Sequence, residues 1–167
     1  MLDYPLLLIF PIAMIYAAAM DFFTMTIPNR ISLALVVGFI AAAIFGGLGW
    51  QEILRHLGAG VAVLVVTVFM FSRGWLGGGD AKLLAAASLW FGFAQLLDYI
   101  VMVALFGGLL AIFMLGFRHA IPPIVIAGRD WAERLHDKKS GIPYGVALGA
   151  AGLWVFPTSD VFRALAV

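Results

Sequence analysis

The chain has 167 residues, 64% of them hydrophobic and only 11% charged, against about 25% charged in an ordinary soluble domain. So few polar side chains do not cover a water-facing surface, so lipid is the expected solvent for most of the length, and residues 1–167 read as one membrane domain. Ten basic and nine acidic residues leave a net charge of +1 with no basic patch to track nucleic acid, and the lack of cysteine excludes disulfides, thiolate metal sites and a cysteine nucleophile.

Six apolar runs follow one another, roughly 4–20, 31–49, 57–72, 81–97, 99–117 and 142–157. Most approach the ~20 residues a spanning helix needs. Lipid offers the backbone no hydrogen-bonding partners, and the alternation of a transmembrane strand is missing, so the expected fold is all-α with about six transmembrane helices. Ala17-Ala18-Ala19 resembles a signal-peptide cleavage site, but Met1-Leu2-Asp3-Tyr4 lacks a basic n-region. The first run is therefore read as a retained helix.

The basic residues orient these runs. Arg30 falls in the first connection, Arg73 and Lys82 in the third, and Arg118, Arg129, Arg134, Lys138 and Lys139 in the fifth, while Arg55 and Arg163 fall on the opposite side. The positive-inside rule then puts both termini on the periplasmic side and the first, third and fifth connections in the cytoplasm of a bacterial inner membrane. Asp21 leaves the first run and Asp80 enters the fourth, so both lie at the cytoplasmic edge, 59 residues apart in sequence but free to face each other. The remaining acids fall on the outer side (Asp3, Glu52, Asp98, Asp160) or in the polar fifth connection (Asp130, Glu133, Asp137).

Two aspartates brought together in a poorly hydrated site do not both ionise readily. They tend to share a proton, one serving as base and the other as acid, which activates a water against a peptide carbonyl. Asp80 alone would serve as an N-cap of the fourth helix. Capping leaves Gly77, Gly78 and Gly79 unexplained; three glycines permit another backbone to approach, and an extended strand-like loop there would hold a peptide by main-chain hydrogen bonds. Lys82 is read as interfacial, with some influence on Asp80.

His56, His119 and His136 fall in connections or at helix ends, where solvated or interfacial roles are expected. No spacing suggests a metal site, and no cofactor is expected. Pro122-Pro123 breaks the chain after the fifth run, and Arg129–Gly141 reads equally as a short amphipathic helix on the cytoplasmic leaflet or as a plain solvated loop. Pro143 suits a helix start. Gly145, Ala147, Gly149, Ala150, Ala151 and Gly152 then offer a small-residue face for close helix packing, the role also expected of Gly46-Gly47 and Gly107-Gly108. Tyr144 is placed to reach the edge of the aspartate site.

Gly77-Gly78-Gly79-Asp80 followed by Lys82, an upstream Asp21 before Ile27-Pro28-Asn29, and a late Pro143-Tyr144-Gly145 opening the last helix together resemble the type IV prepilin peptidases, GxGD-type intramembrane aspartic peptidases. The resemblance covers nearly the whole chain. It implies that Asp21 and Asp80 are the catalytic pair, with Gly77, Gly78, Gly79, Lys82, Pro28, Asn29, Pro143, Tyr144 and Gly145 shaping the site or binding substrate. It also implies the partners: prepilin and pseudopilin substrates whose short basic leader is removed at the cytoplasmic face, ahead of a hydrophobic helix held in the bilayer. Larger members carry an extra cytoplasmic region with paired cysteines, linked to methylation of the new N-terminal amine. With no cysteine and no room for that region before Asp21, the chain resembles the short, peptidase-only forms associated with Flp-type, tight-adherence pili, and N-methylation is not expected of it. Two other classes compete: a small proton-coupled carrier, which would place its site near the midplane and show repeats, and a non-enzymatic assembly subunit, which would tolerate loss of a carboxylate.

Overall fold

The computed structural model describes residues 3–166, and every element in it is helical. The order is α1 (Asp3–Thr24), α2 (Asn29–Phe45), α3 (Trp50–Ser72), α4 (Gly78–Ala120), α5 (Pro123–Ile126), α6 (Asp130–His136), α7 (Tyr144–Val155) and α8 (Asp160–Ala166), with 3-10 turns at Lys138–Ser140 and Phe156–Thr158. No strand occurs among the described residues, as expected where only intra-helical bonds satisfy the backbone.

Several boundaries differ from those the apolar runs suggest. The first helix runs through Asp21 to Thr24, where Met25 takes a left-handed conformation (φ 54°) and its N–H bonds the Asp21 carbonyl at 2.8 Å. α3 begins at Trp50 instead of residue 57, because Glu52 reaches back to the Gly49 N–H at 3.1 Å and supports an extra N-terminal turn. Arg55 and His56 are thus helical, and His56 is buried instead of solvated. Its Nδ1 pairs with the Leu89 carbonyl at 2.7 Å and its ring stacks on Phe39.

The largest difference lies in α4. The expected break at Asp98 does not occur; the chain turns at Gly92, whose φ of 56° suits a residue without a side chain. The rings of Phe91 and Tyr99 lie 4.5 Å apart, whereas eight residues of straight helix would separate them by about 12 Å along the axis. The helix therefore folds back on itself into arms 78–91 and 93–120, with the His56 ring where a Cβ of residue 92 would sit, 3.0–3.1 Å away. By length and composition three helices suffice to cross a membrane (Pro5–Thr24, Trp50–Ser72 and Gly78–Ala120), and a fourth span results if the pair Tyr144–Thr158 and Asp160–Ala166, bent by 55°, counts as one. That is fewer than the six apolar runs, because two runs merge in α4 and Asn29–Phe45 is apolar but shorter than a full span.

α1 packs antiparallel on α7, along the small-residue face the sequence marks. Gly145 meets Asp21, Gly149 meets Ala18 and Met14, and Gly152 meets Met14 and Phe10. An aromatic core fills the end of the bundle away from Asp21: Phe10 stacks on Phe156 (centroids 4.6 Å apart) and touches Trp90, whose Nε1–H donates to the Leu35 carbonyl at 3.0 Å. Trp90, Phe10, Phe39, Phe91 and Tyr99 are fully buried there. By contrast, many large apolar side chains of α3 and of the second arm of α4 face outward, the pattern of a lipid-facing wall.

Candidate active site

The C-terminal turn of α1, the first turn of α4 and the first turn of α7 meet at one end of the bundle. Asp21 retains only 6% of its surface exposed. Its Oδ2 accepts the Gly145 N–H at 2.6 Å. Gly145 is the second residue of α7, so this donor is one of the amides a helix leaves unsatisfied at its start, where a carboxylate is a favourable partner. Only glycine fits: a Cβ at 145 would lie 2.9 Å from the Asp21 Cβ and Oδ2 and 2.8 Å from Ile27 Cδ1.

Asp80 is the third residue of α4 and is neither its N-cap nor part of an extended loop. Gly77 holds the N-cap position in extended conformation (φ −67°, ψ 145°), while Gly78 and Gly79 form the first helical turn. The glycines act by their bareness. A Cβ at 77 would lie 2.8 Å from the Asp80 Oδ2, one at 78 would press on the Phe71 ring at 3.2 Å, and one at 79 would press on Ile27 Cβ at 3.1 Å. Ile27 therefore touches both the glycine turn of α4 and Gly145 of α7. The sequence singles it out only as the residue before Pro28-Asn29, and no side-chain chemistry would have marked it as the wedge between the two aspartates.

Through Ile27, which touches both Gly79 and the Gly145 that holds Asp21, Asp80 is brought to the Asp21 end of the bundle. Its Oδ1 is buried with no hydrogen-bond partner among the described residues, an arrangement that costs free energy unless another group completes it. Beside it opens a cavity of about 700 Å³. Val63, Val66 and Met70 of α3 form one wall, and Leu96, Ile100 and Val103 of the second arm of α4 form another; Asp80 and Tyr144 stand at one end. The site thus pairs two carboxylates with an apolar trough.

The other expected site residues are more peripheral. Pro28 caps α2 and Asn29 opens it. Asn29 Oδ1 accepts the Lys82 amine at 2.9 Å, so Lys82 ties α4 to α2. Pro143 caps α7. The polar segment after Pro122-Pro123 does contain a short helix, but α6 packs inward. Trp131 contacts Phe22 and Phe23, the Arg134 guanidinium donates to the Phe23 carbonyl at 2.9 Å, and Arg118 donates to the carbonyls of Leu135 (2.8 Å) and Gly141. This strap braces the end of α1 just past Asp21. Among the described residues no three His, Asp or Glu side chains cluster as metal ligands.

A family model described as the type IV leader peptidase family matches residues 8–113. That stretch includes Asp21, Asp80 and the glycine turn, and stops before Pro143. Comparison with curated proteins and with solved structures gives no significant match.

Proposed function

Since the chain belongs to the type IV leader peptidase family, we propose that it is an intramembrane aspartic endopeptidase that removes the basic leader of a prepilin-type substrate between Asp21 and Asp80. The supporting observation is the gathering of the two aspartates at one end of the bundle, one anchored by the Gly145 N–H and the other, which lines an apolar cavity, with a buried oxygen that lacks a hydrogen-bond partner among the described residues.

The substrate's hydrophobic helix lies along the trough between α3 and the second arm of α4, which brings the preceding peptide bond to Asp80. One ionised carboxylate takes a proton from water while the water oxygen attacks the carbonyl carbon. The other, protonated, donates to the carbonyl oxygen as it gains charge. The tetrahedral intermediate collapses when a proton passes to the amide nitrogen and the C–N bond breaks, leaving a new carboxyl group on the leader and a free amine on the mature subunit. The pair acts as one titrating unit.

In this reading the excess of Lys and Arg on the Asp21 side sets that end in the cytoplasm of the inner membrane. The two arms of α4, taken with α2 and α7 as bilayer segments, support a reading of six segments with both termini outside. A chain without cysteine suits Flp-type prepilins, processed without the cysteine-bearing region of the larger enzymes. The test is processing of a prepilin by Asp21→Asn and Asp80→Asn. Asn at 21 keeps an acceptor for the Gly145 N–H, so each variant should reach the membrane at wild-type level and leave the substrate uncut. Normal cleavage by either variant refutes the dyad.

A further inference from the structure

Tyr144 is held by packing, and its hydroxyl has no hydrogen-bond partner among the described residues. It is the first residue of α7, directly before the Gly145 whose N–H holds Asp21. Its ring occupies the space left by Gly107 on the second arm of α4. A Cβ at 107 would lie 2.7 Å from the ring's Cε2 and Cζ, and closer still to the hydroxyl. The ring is therefore fixed from two sides, by the start of α7 and by a missing side chain on α4.

The hydroxyl has no hydrogen-bond partner among the described residues, although Tyr144 shares a cavity with Asp80. Asp80 Oδ1 is buried and likewise unpartnered, and both residues line the one cavity. The walls around them are nearly all apolar. The other hydroxyl there, Thr67, is already committed, donating to the carbonyls of Leu64 at 3.1 Å and Ala81 at 3.3 Å. Tyr99 makes the contrast clear. It is fully buried in the core, and its hydroxyl donates to the Leu148 carbonyl at 3.4 Å. The Tyr144 hydroxyl lies against Gly107 together with the ring edge, so packing places the oxygen but leaves its hydrogen-bonding capacity unused.

We propose that Tyr144 is a third catalytic group, whose hydroxyl donates a hydrogen bond to the carbonyl oxygen of the scissile peptide bond beside Asp80. This inference rests on the peptidase reading above. The phenol keeps its proton throughout; it stabilises the oxyanion of the tetrahedral intermediate together with the protonated aspartate. Removing one such donor in an acyl-transfer enzyme slows turnover by about 10²–10³-fold.

The experiment uses the full chain in detergent or liposomes and a peptide carrying a basic leader followed by an apolar segment. Tyr144→Phe removes one oxygen and leaves the ring in place. Turnover slowed by about 30-fold or more, with KM staying within about threefold of wild type, is the expected result. A smaller loss of turnover, or a loss carried by KM alone, overturns the proposal, because a packing or substrate-holding role would give that outcome. Asp80→Asn in the same assay separates the two ideas: an inactive Asp80→Asn beside a fully active Tyr144→Phe sinks only the role of Tyr144, whereas an active Asp80→Asn sinks the peptidase reading itself.

Discussion

Replacing Gly145 by alanine adds one methyl group at the tightest point of the site. The new Cβ would sit 2.9 Å from both Cβ and Oδ2 of Asp21 and 2.8 Å from Ile27 Cδ1, whereas carbon atoms rest about 3.5–4.0 Å apart. The first turn of α7 or the end of α1 must therefore yield by about 1 Å. Overpacking of this kind costs about 1–3 kcal/mol, and the 2.6 Å bond from the Gly145 N–H to Asp21 is stretched or lost, worth about a further 1.5–3 kcal/mol for a charged acceptor. Gly145 stands in the first turn of α7, where better helix propensity returns little, so the net loss is a few kcal/mol. Activity should suffer more than stability, since a displacement of about 1 Å in a catalytic group lowers rate about 10²-fold. Gly145→Ala should remain in the membrane, melt earlier in detergent, and cleave a prepilin peptide about 10²-fold more slowly. If it cleaves within threefold of wild type, α7 does not hold Asp21 in catalytic position, and the fit of glycine at 145 has some other cause.

Three further variants probe other parts of the structure. Gly92→Ala forces a side chain into a left-handed conformation against the His56 ring and should lower stability by at least about 1–2 kcal/mol, read as an earlier thermal melt; an unchanged melt would mean that the fold-back does not depend on this residue. Lys82→Met removes the exposed bond to Asn29, worth about 0.5–1.5 kcal/mol, and leaves Asp80 untouched, so cleavage rates should stay within about threefold of wild type. Ala104→Trp sets an indole in the trough and should raise KM for a full-length substrate while leaving the melt unchanged; equal KM values would show that the substrate helix docks elsewhere.

That Asp21 and Asp80 come to one end of the bundle was legible from the pattern of basic connections, which groups the end of the first run with the start of the fourth. The close packing of α1 on α7 was legible too, from glycines spaced along one helical face. What the sequence hid depends on partners distant in the chain. His56 reads as interfacial until Leu89, 33 residues on, supplies a carbonyl to its ring nitrogen. Gly78 and Gly79 read as a loop because glycine is a poor helix former, yet both are helical. The tertiary approach of Phe71 to Gly78 and of Ile27 to Gly79 needs bare Cα atoms there, and the N-terminal turn of a helix is where glycine costs little. Asp98 reads as a break because it is charged, while the true turn at Gly92 is surrounded by Trp90, Phe91 and Phe93, so nothing in hydropathy marks it.

That turn makes α4 a pair of tongs. The tip of one arm carries Asp80 and the middle of the other carries Gly107, the seat of Tyr144, while the pivot at Gly92 lies in the aromatic core at the opposite end of the bundle. The spacing of these two points is therefore fixed by counting residues along each arm. A single residue inserted or deleted anywhere between 80 and 107 would swing one of them by about 100° about its helix axis and carry its group out of the trough. Length in this stretch should thus be guarded more strictly than identity, even at positions where only lipid meets the side chain.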